Sequence, residues 1–175
     1  FYYKKYQNLD SVILPMTRSE RRFYMPVGIC EANIVPSNGV CVIYTEDIAL
    51  LIGVLISRLH MIWTMTVAGK LESRIRYSVN LTYNTFPVPD LTEKQKETIT
   101  THVYNVLEER EKHSEKTMAE LYDPDKMLDG LREAHHHLDL AVERCYRSKP
   151  FTSDEERLEY LFKLYESMTN KESVG

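Results

Sequence analysis

The charged residues at alternate positions in Glu72-x-Arg74-x-Arg76 are the part of this chain whose types and spacing point most directly to chemistry. They follow a short turn at Ala68-Gly69-Lys70 and fall in a run, Leu71 to Val79, that reads as a strand. Alternate residues of a strand share a face, so one carboxylate and two guanidiniums would project side by side. Buried charges are costly unless paired. Such a row therefore belongs either on a solvated strand face with cross-strand ion pairs or against an anionic, hydrogen-bonding ligand. Arginine is the side chain best shaped to fork onto guanine edges or phosphates. On residue chemistry alone the two readings are even.

The elements that would position this row have two different grammars. In the first half, Arg22 to Cys30 reads as a strand broken at Pro26, Pro36-Ser37-Asn38-Gly39 as a turn, and Val40 to Tyr44 as a second strand. Thr45, with Glu46 and Asp47 behind it, reads as the N-cap of a helix carrying Ile48, Leu51, Leu55 and Leu59. Met61, Trp63, Met65 and Val67 then alternate with Ile62, Thr64 and Thr66, which predicts a strand paired through the Gly69 turn with Leu71 to Val79. On that reading Trp63 sits in the core or stacks on a base, and Thr64 and Thr66 lie on the face free to meet a ligand.

Asn84 to Asp90, with Pro87 and Pro89, forces an extended path and marks a boundary. Helices follow. Thr92-x-x-Gln95 is a capping box opening a helix to about Ser114, with Ile99, Val103 and Val106 on one stripe. A shorter helix covers Glu115 to Leu121. Asp123-Pro124 starts a long one whose apolar stripe runs through Met127, Leu131, Ala134, Leu138, Ala141, Val142 and Cys145. Ser153-x-x-Glu156 caps a last amphipathic helix with Leu158, Leu161, Phe162, Tyr165 and Met168. The fold class expected is α+β: a mixed α/β first half with a β-hairpin, then an all-α second half.

Composition narrows the partners. The chain has 175 residues, 43% hydrophobic and 27% charged, as in ordinary globular proteins. The longest apolar run, Ile48 to Ile56, is too short to span a bilayer, and the N-terminus lacks the apolar core of a signal peptide. It also lacks an initiating Met, which suggests a piece of something longer. The three cysteines, Cys30, Cys41 and Cys145, show no C-x-x-C spacing, so a zinc site or disulfide framework is not expected and a reducing cytoplasm fits. The Asn80-Leu81-Thr82 sequon then carries no weight. Net charge is −4, divided as nine Lys/Arg against seven Asp/Glu through Asp90 and thirteen against nineteen after it, about +2 and −6. Any footprint for phosphate lies in the first half.

Other chemistry is absent from the pattern. His135, His136 and His137 point about 100° apart on a helix and cannot share one ion, so they read as surface or packing residues. No phosphate-binding glycine motif occurs. Asn84-Thr85-Phe86-Pro87 lacks the paired prolines of an Asn-Pro-Pro-Tyr methyltransferase loop, and Asp123 and Asp125 read as helix caps. Nothing in the residues reads as catalytic.

An ordered set of short matches supplies a resemblance. His60-x-x-Trp63, Gly69-Lys70-Leu71-x-Ser73, Arg76-Tyr77-Ser78 and Tyr83-Asn84-Thr85-Phe86-Pro87-x-Pro89 resemble the target-recognition region of MmeI-like type IIL restriction-modification enzymes. Leu121-Tyr122-Asp123-Pro124, Leu131-Arg132-x-Ala134-His135, Leu138-Asp139-x-Ala141-Val142, Lys149-Pro150-Phe151, Glu156-Arg157-Leu158 and Leu161-Phe162-x-Leu164-Tyr165 are similar to the C-terminal helical region of the same family. The likeness covers Arg18 to Asn170. It implies a DNA target-recognition domain over residues 1–90 and a helical domain over 91–175. It also implies a parent polypeptide carrying an adenine methyltransferase and an endonuclease, which would use S-adenosylmethionine and Mg²⁺. By the resemblance, base-reading positions fall on Glu72, Arg74, Arg76, Gly39 and Val40. The phosphate contacts expected are Lys70, Arg21, Arg22, Thr64 and Thr66. The partners implied are double-stranded DNA and an intramolecular methyltransferase domain, with no membrane. The competing class is a protein-interaction module whose acidic helical half docks a partner.

Overall fold

The computed structural model describes residues 7–71 and 74–172. It is an α+β fold. An extended run near the N-terminus threads two small sheets: β1 (Ser11–Pro15) and β2 (Thr17–Ser19) are separated only by Met16. In the first sheet β1 is central, paired antiparallel with β3 (Gly28–Cys30) and with β4 (Val40–Ile43). The register sets Val12 opposite Ile43 and Leu14 opposite Cys41, and these four share the face that meets the core. Cys30 and Cys41 lie on opposite sides of β1, against Ser11 and Leu14, so they are too far apart to bridge. Arg22 to Cys30 is a strand only over its last three residues.

Two short helices follow, and here the sequence expectation is corrected. Asp47, not Thr45, caps α1 (Ile48–Ile56), its Oδ1 accepting from the Leu50 N–H at 2.9 Å. The helix stops at Ser57, whose extended backbone (φ −68, ψ 154) restarts it as α2 (Arg58–Val67) at a bend of 62°. Residues 61–67 are therefore helical, not a strand. The alternation misled because Leu59 through Thr64 are buried without interruption, so no polar face was left to reveal the 3.6-residue period. No single helix among the described residues is long and apolar enough to cross a membrane.

The hairpin exists, displaced. Gly69 does not turn the chain but opens β5 (Gly69–Leu71), which pairs antiparallel with β6 (Arg74–Arg76). β2 adds on the other side of β6, giving the order β2-β6-β5. Beyond β6, Ser78 caps a wide π-type turn over Val79–Tyr83.

The second half is helical. The Thr92–Gln95 capping box is formed in both directions at the start of α3 (Glu93–Glu111). A second box, Thr117–Glu120, opens the single turn α4 (Met118–Leu121). The Asp123-Pro124 segment is a turn, with Asp123 Oδ1 accepting from the Asp125 N–H, and the long helix α5 (Asp129–Tyr146) starts later than the sequence suggested. Ser153 caps α6 (Asp154–Glu172), while the Glu156 carboxylate reaches back to the Thr152 N–H and to Arg147.

One hydrophobic core runs through both halves, from Val12 and Leu14 through α1 and α2 to Leu131, Leu138 and Leu161. Trp63 belongs to it: it is 1% exposed, packs near Phe86, Phe162 and Tyr165, and donates from Nε1 to Thr85 Oγ1 at 3.1 Å. α1 approaches α3 at Gly53, where a Cβ would stand 2.5 Å from Ile99 Cγ2 and 2.9 Å from Val103 Cγ2. Overpacking costs about 1–3 kcal/mol against roughly 1 kcal/mol of helix propensity gained. Gly53→Ala is thus expected to destabilise by up to about 2 kcal/mol in urea unfolding, and Ile99→Ala in the same chain should relieve much of it. A stabilised Gly53→Ala protein would contradict this packing.

Candidate nucleic-acid interface

The β2-β6-β5 sheet has one exposed and one buried face. Thr17 stands opposite Arg76 and Ser19 opposite Arg74, and all four are exposed. Arg18 and Ile75, opposite each other on the reverse side, are buried. The two guanidiniums anticipated from the alternation therefore do project together. Among the described residues neither Arg74 nor Arg76 has an ion pair. Glu72 lies outside the described residues, as does the Lys70 side chain; the Lys70 backbone pairs with Ile75.

Met16 joins this sheet to the Gly39 turn. Its N–H donates to Gly39 O at 3.0 Å, and its carbonyl accepts from the Tyr77 N–H at 2.8 Å. A residue between β1 and β2 thus holds the turn before β4 and the end of β6 side by side. Gly39 and Val40, distant from Arg76 in sequence, are brought to the same end of the sheet. Gly39 is exposed and Val40 half-buried.

The remaining expected contacts are dispersed. Arg21 is exposed, and its Nη2 meets both carboxylate oxygens of Asp125 at 2.8 and 3.1 Å, a surface pair worth little. Arg22 is half-buried, and its carbonyl accepts from Arg18 Nη1 at 3.0 Å. Thr64 is fully buried on α2 and cannot reach a ligand, which corrects its expected place on an open strand face. Thr66 is exposed, with its hydroxyl donating to Ile62 O at 3.0 Å.

Sequence reasoning missed Thr17, Ser19 and Arg18. The polar alternation of Thr17 and Ser19 was visible, but nothing local tells that they pair with β6. Arg18 lies under the sheet; among the described residues it makes no ion pair, and its Nε and Nη2 have no hydrogen-bond partner. Burial, with the charges of Arg22 and Arg58 beside it, lowers its pKa to about 10.

The histidine run packs as its spacing required. His135 is buried, stacked on Tyr24 with ring centroids 4.1 Å apart, while His136 and His137 are exposed. Among the described residues no three His, Cys, Asp or Glu side chains converge as a metal site.

Known proteins place this arrangement. Residues 1–90 match the family "MmeI, target recognition domain", and residues 91–172 match "MmeI, C-terminal domain". "DNA methyltransferase A" of Bacillus subtilis (strain 168) is 48% identical over 161 residues, 92% of this chain and 18% of that protein. A solved structure of the type IIL restriction-modification enzyme MmeI in complex with DNA superposes with a TM-score of 0.92 at 36% identity, over 97% of this chain and 23% of that one. The chain thus spans about a fifth of the length of the relatives it matches. It belongs to the MmeI family, matching the target recognition domain and the C-terminal domain that follows it.

Proposed function

We propose that this chain reads duplex DNA through the exposed face of its β2-β6-β5 sheet, as the specificity part of a longer restriction-modification enzyme. The carrying observation is the pair Arg74 and Arg76, exposed on one face of β6 beside Thr17, Ser19 and the Gly39 turn and without an ion pair among the described residues. A B-DNA major groove admits a two-stranded ribbon. There Arg74 or Arg76 forks onto guanine O6 and N7, and Glu72 accepts from cytosine N4 or orients a neighbouring guanidinium. Gly39 and Val40 contribute backbone and shape. Lys70, Arg21, Arg22 and Thr66 serve as phosphate contacts that fix register without reading sequence.

Residues 1–90 are the recognition domain on this reading and 91–175 the helical one. The acidic helices pack against the methyltransferase, because a charge of about −6 repels phosphate. S-adenosylmethionine and Mg²⁺ would serve the methyltransferase and endonuclease parts in the cytoplasm. The pairing of cations on one exposed face favours DNA over a purely protein-docking role.

Exchanging Glu72 and Arg74 in the full-length protein is expected to change which base pair is accepted at one position, leaving the others intact. A lost bidentate contact is worth about 1–3 kcal/mol of discrimination, roughly 5-fold to 150-fold. Mapping of methylated sites reads this directly. An unchanged methylated sequence would overturn the assignment.

A further inference from the structure

A cavity of about 360 Å³ opens where the two halves meet, between the Phe23–Tyr24 segment and α5. Phe23, Tyr24, Arg58, Arg132, Glu133 and His136 line it. Its cations outnumber its acids. Arg132 lies over the Phe23 ring, 5.7 Å from the centroid, and makes one long hydrogen bond, 3.4 Å, to Met127 O. No carboxylate pairs with it among the described residues. The His136 ring lies 6.2 Å from that of His137, centroid to centroid. Glu133, the acid on the wall, is turned to His137 Nε2 at 3.2 Å. Arg58 is held by Asp154, and the buried Arg18 lies near enough to feel the charges of both Arg22 and Arg58. In a helical half that carries about −6, Arg132 is a cation without a carboxylate partner among the described residues, standing against an aromatic wall.

We propose that this cavity binds a backbone phosphate of duplex DNA outside the bases read by the sheet. The inference rests on the recognition reading above. A phosphodiester oxygen accepts from the Arg132 guanidinium and from a His136 ring N–H, and the exposed edge of Phe23 packs on the adjoining sugar. The reach is set by the chain: Phe23 follows Ser19, on the reading face, by four residues. That is at most about 14 Å of extended backbone, or roughly four base-pair steps at 3.4 Å each. A phosphate a few steps beyond the recognised sequence lies within that distance.

Arg132 and His136 are both exposed on α5, so Arg132→Gln and His136→Gln should fold, which thermal melting checks. The test compares binding of the full-length protein to duplexes that carry its methylated sequence with flanks of two or of eight base pairs. The wild-type protein should bind the longer duplex more tightly. Each variant should lose most of that gain, bind the short duplex as before, and keep the same methylated sequence. On the long duplex the double variant's slope of log affinity against log salt should fall by about 1. A wild-type protein indifferent to flank length, a full gain in the variants, or an equal loss on both duplexes would each overturn the proposal. So would a flank gain that survives in Arg132→Gln while inorganic phosphate shifts the His136 NMR signals, which would assign the cavity to free phosphate. The recognition reading fails separately, if Arg74→Ala and Arg76→Ala leave the methylated sequence unchanged.

Discussion

Replacing Tyr122 with phenylalanine is expected to destabilise the fold by about 3 kcal/mol or more, although only one oxygen is lost. That oxygen is the hinge of a buried chain of hydrogen bonds. Arg110 Nε donates to it at 2.7 Å, and it shares a hydrogen bond with His135 Nε2, also at 2.7 Å. His135 is neutral, because burial and the Arg110 charge push its pKa well below the usual value. All three residues are buried. Hydrogen bonds to charged groups contribute about 1.5–3 kcal/mol, and an unsatisfied buried group costs a further 1–3 kcal/mol. Tyr122→Phe strands both a guanidinium N–H and an imidazole nitrogen.

Arg110→Met tests the same chain from its other end. It removes the buried charge together with the need to satisfy it, so it should cost less than Tyr122→Phe, and the double variant should cost less than the sum by about 1 kcal/mol or more. Urea unfolding of the four proteins gives this cycle directly; strict additivity would show that the three groups do not act together. The stake is functional as well. Arg110 Nη1 also donates to Val27 O at 2.8 Å, which fixes the segment entering β3 from a helix in the other half. Loosening it should disturb the sheet that shares Met16 with the reading face.

What could be read from the sequence was what local pattern controls. The Thr92–Gln95 box and the strand from Val40 announced themselves, because capping geometry and β-branched runs are short-range. Arg74 and Arg76 were legible for the same reason, since alternation alone puts them on one face. The hairpin was found but misplaced, because α2 is buried without a break from Leu59 to Thr64 and its Thr residues imitated strand alternation. β1 went unread: Ser11–Pro15 is short, ends in proline, and is defined by partners at Gly28–Cys30 and Val40–Ile43. The place of Thr17 and Ser19 beside the arginines depends on a register set more than fifty residues away. Arg110 and Asp139 sit on helices whose local pattern does not mark them as buried; the groups they bond, Val27 and Tyr24, come from the other half.

Asp139 should make the fold less stable as pH rises from about 4 to 7, and Asp139→Asn should remove that slope. The carboxylate is 7% exposed on α5 and accepts from the first N–H of α2, Arg58 N at 2.6 Å, and from Tyr24 Oη at 2.9 Å. Those bonds favour the charged form, as does the start of a helix, but burial outweighs them and raises the pKa from 3.8 to about 7, with Glu143 adding to the rise. The sign follows from the proton count. Below 3.8 the group is neutral in both states and its contribution is complete. Between 3.8 and 7 the folded protein holds a proton that the unfolded chain has released, so each step up in pH favours unfolding. Above 7 both states are ionised and the loss is full, on the order of 4 kcal/mol at about 1.4 kcal/mol per unit. Asparagine keeps an acceptor for Arg58 N and can donate to the Tyr24 oxygen, so its stability relative to the wild type should rise across this window, on top of the gain with pH that the buried neutral His60 and His135 give both proteins. Unfolding free energies at pH 5 and pH 8 for both proteins decide it, and a difference between them that does not change with pH would remove Asp139 from the account. The difference matters for the reading face because Asp139 anchors the start of α2, and the end of α2 leads directly into β5.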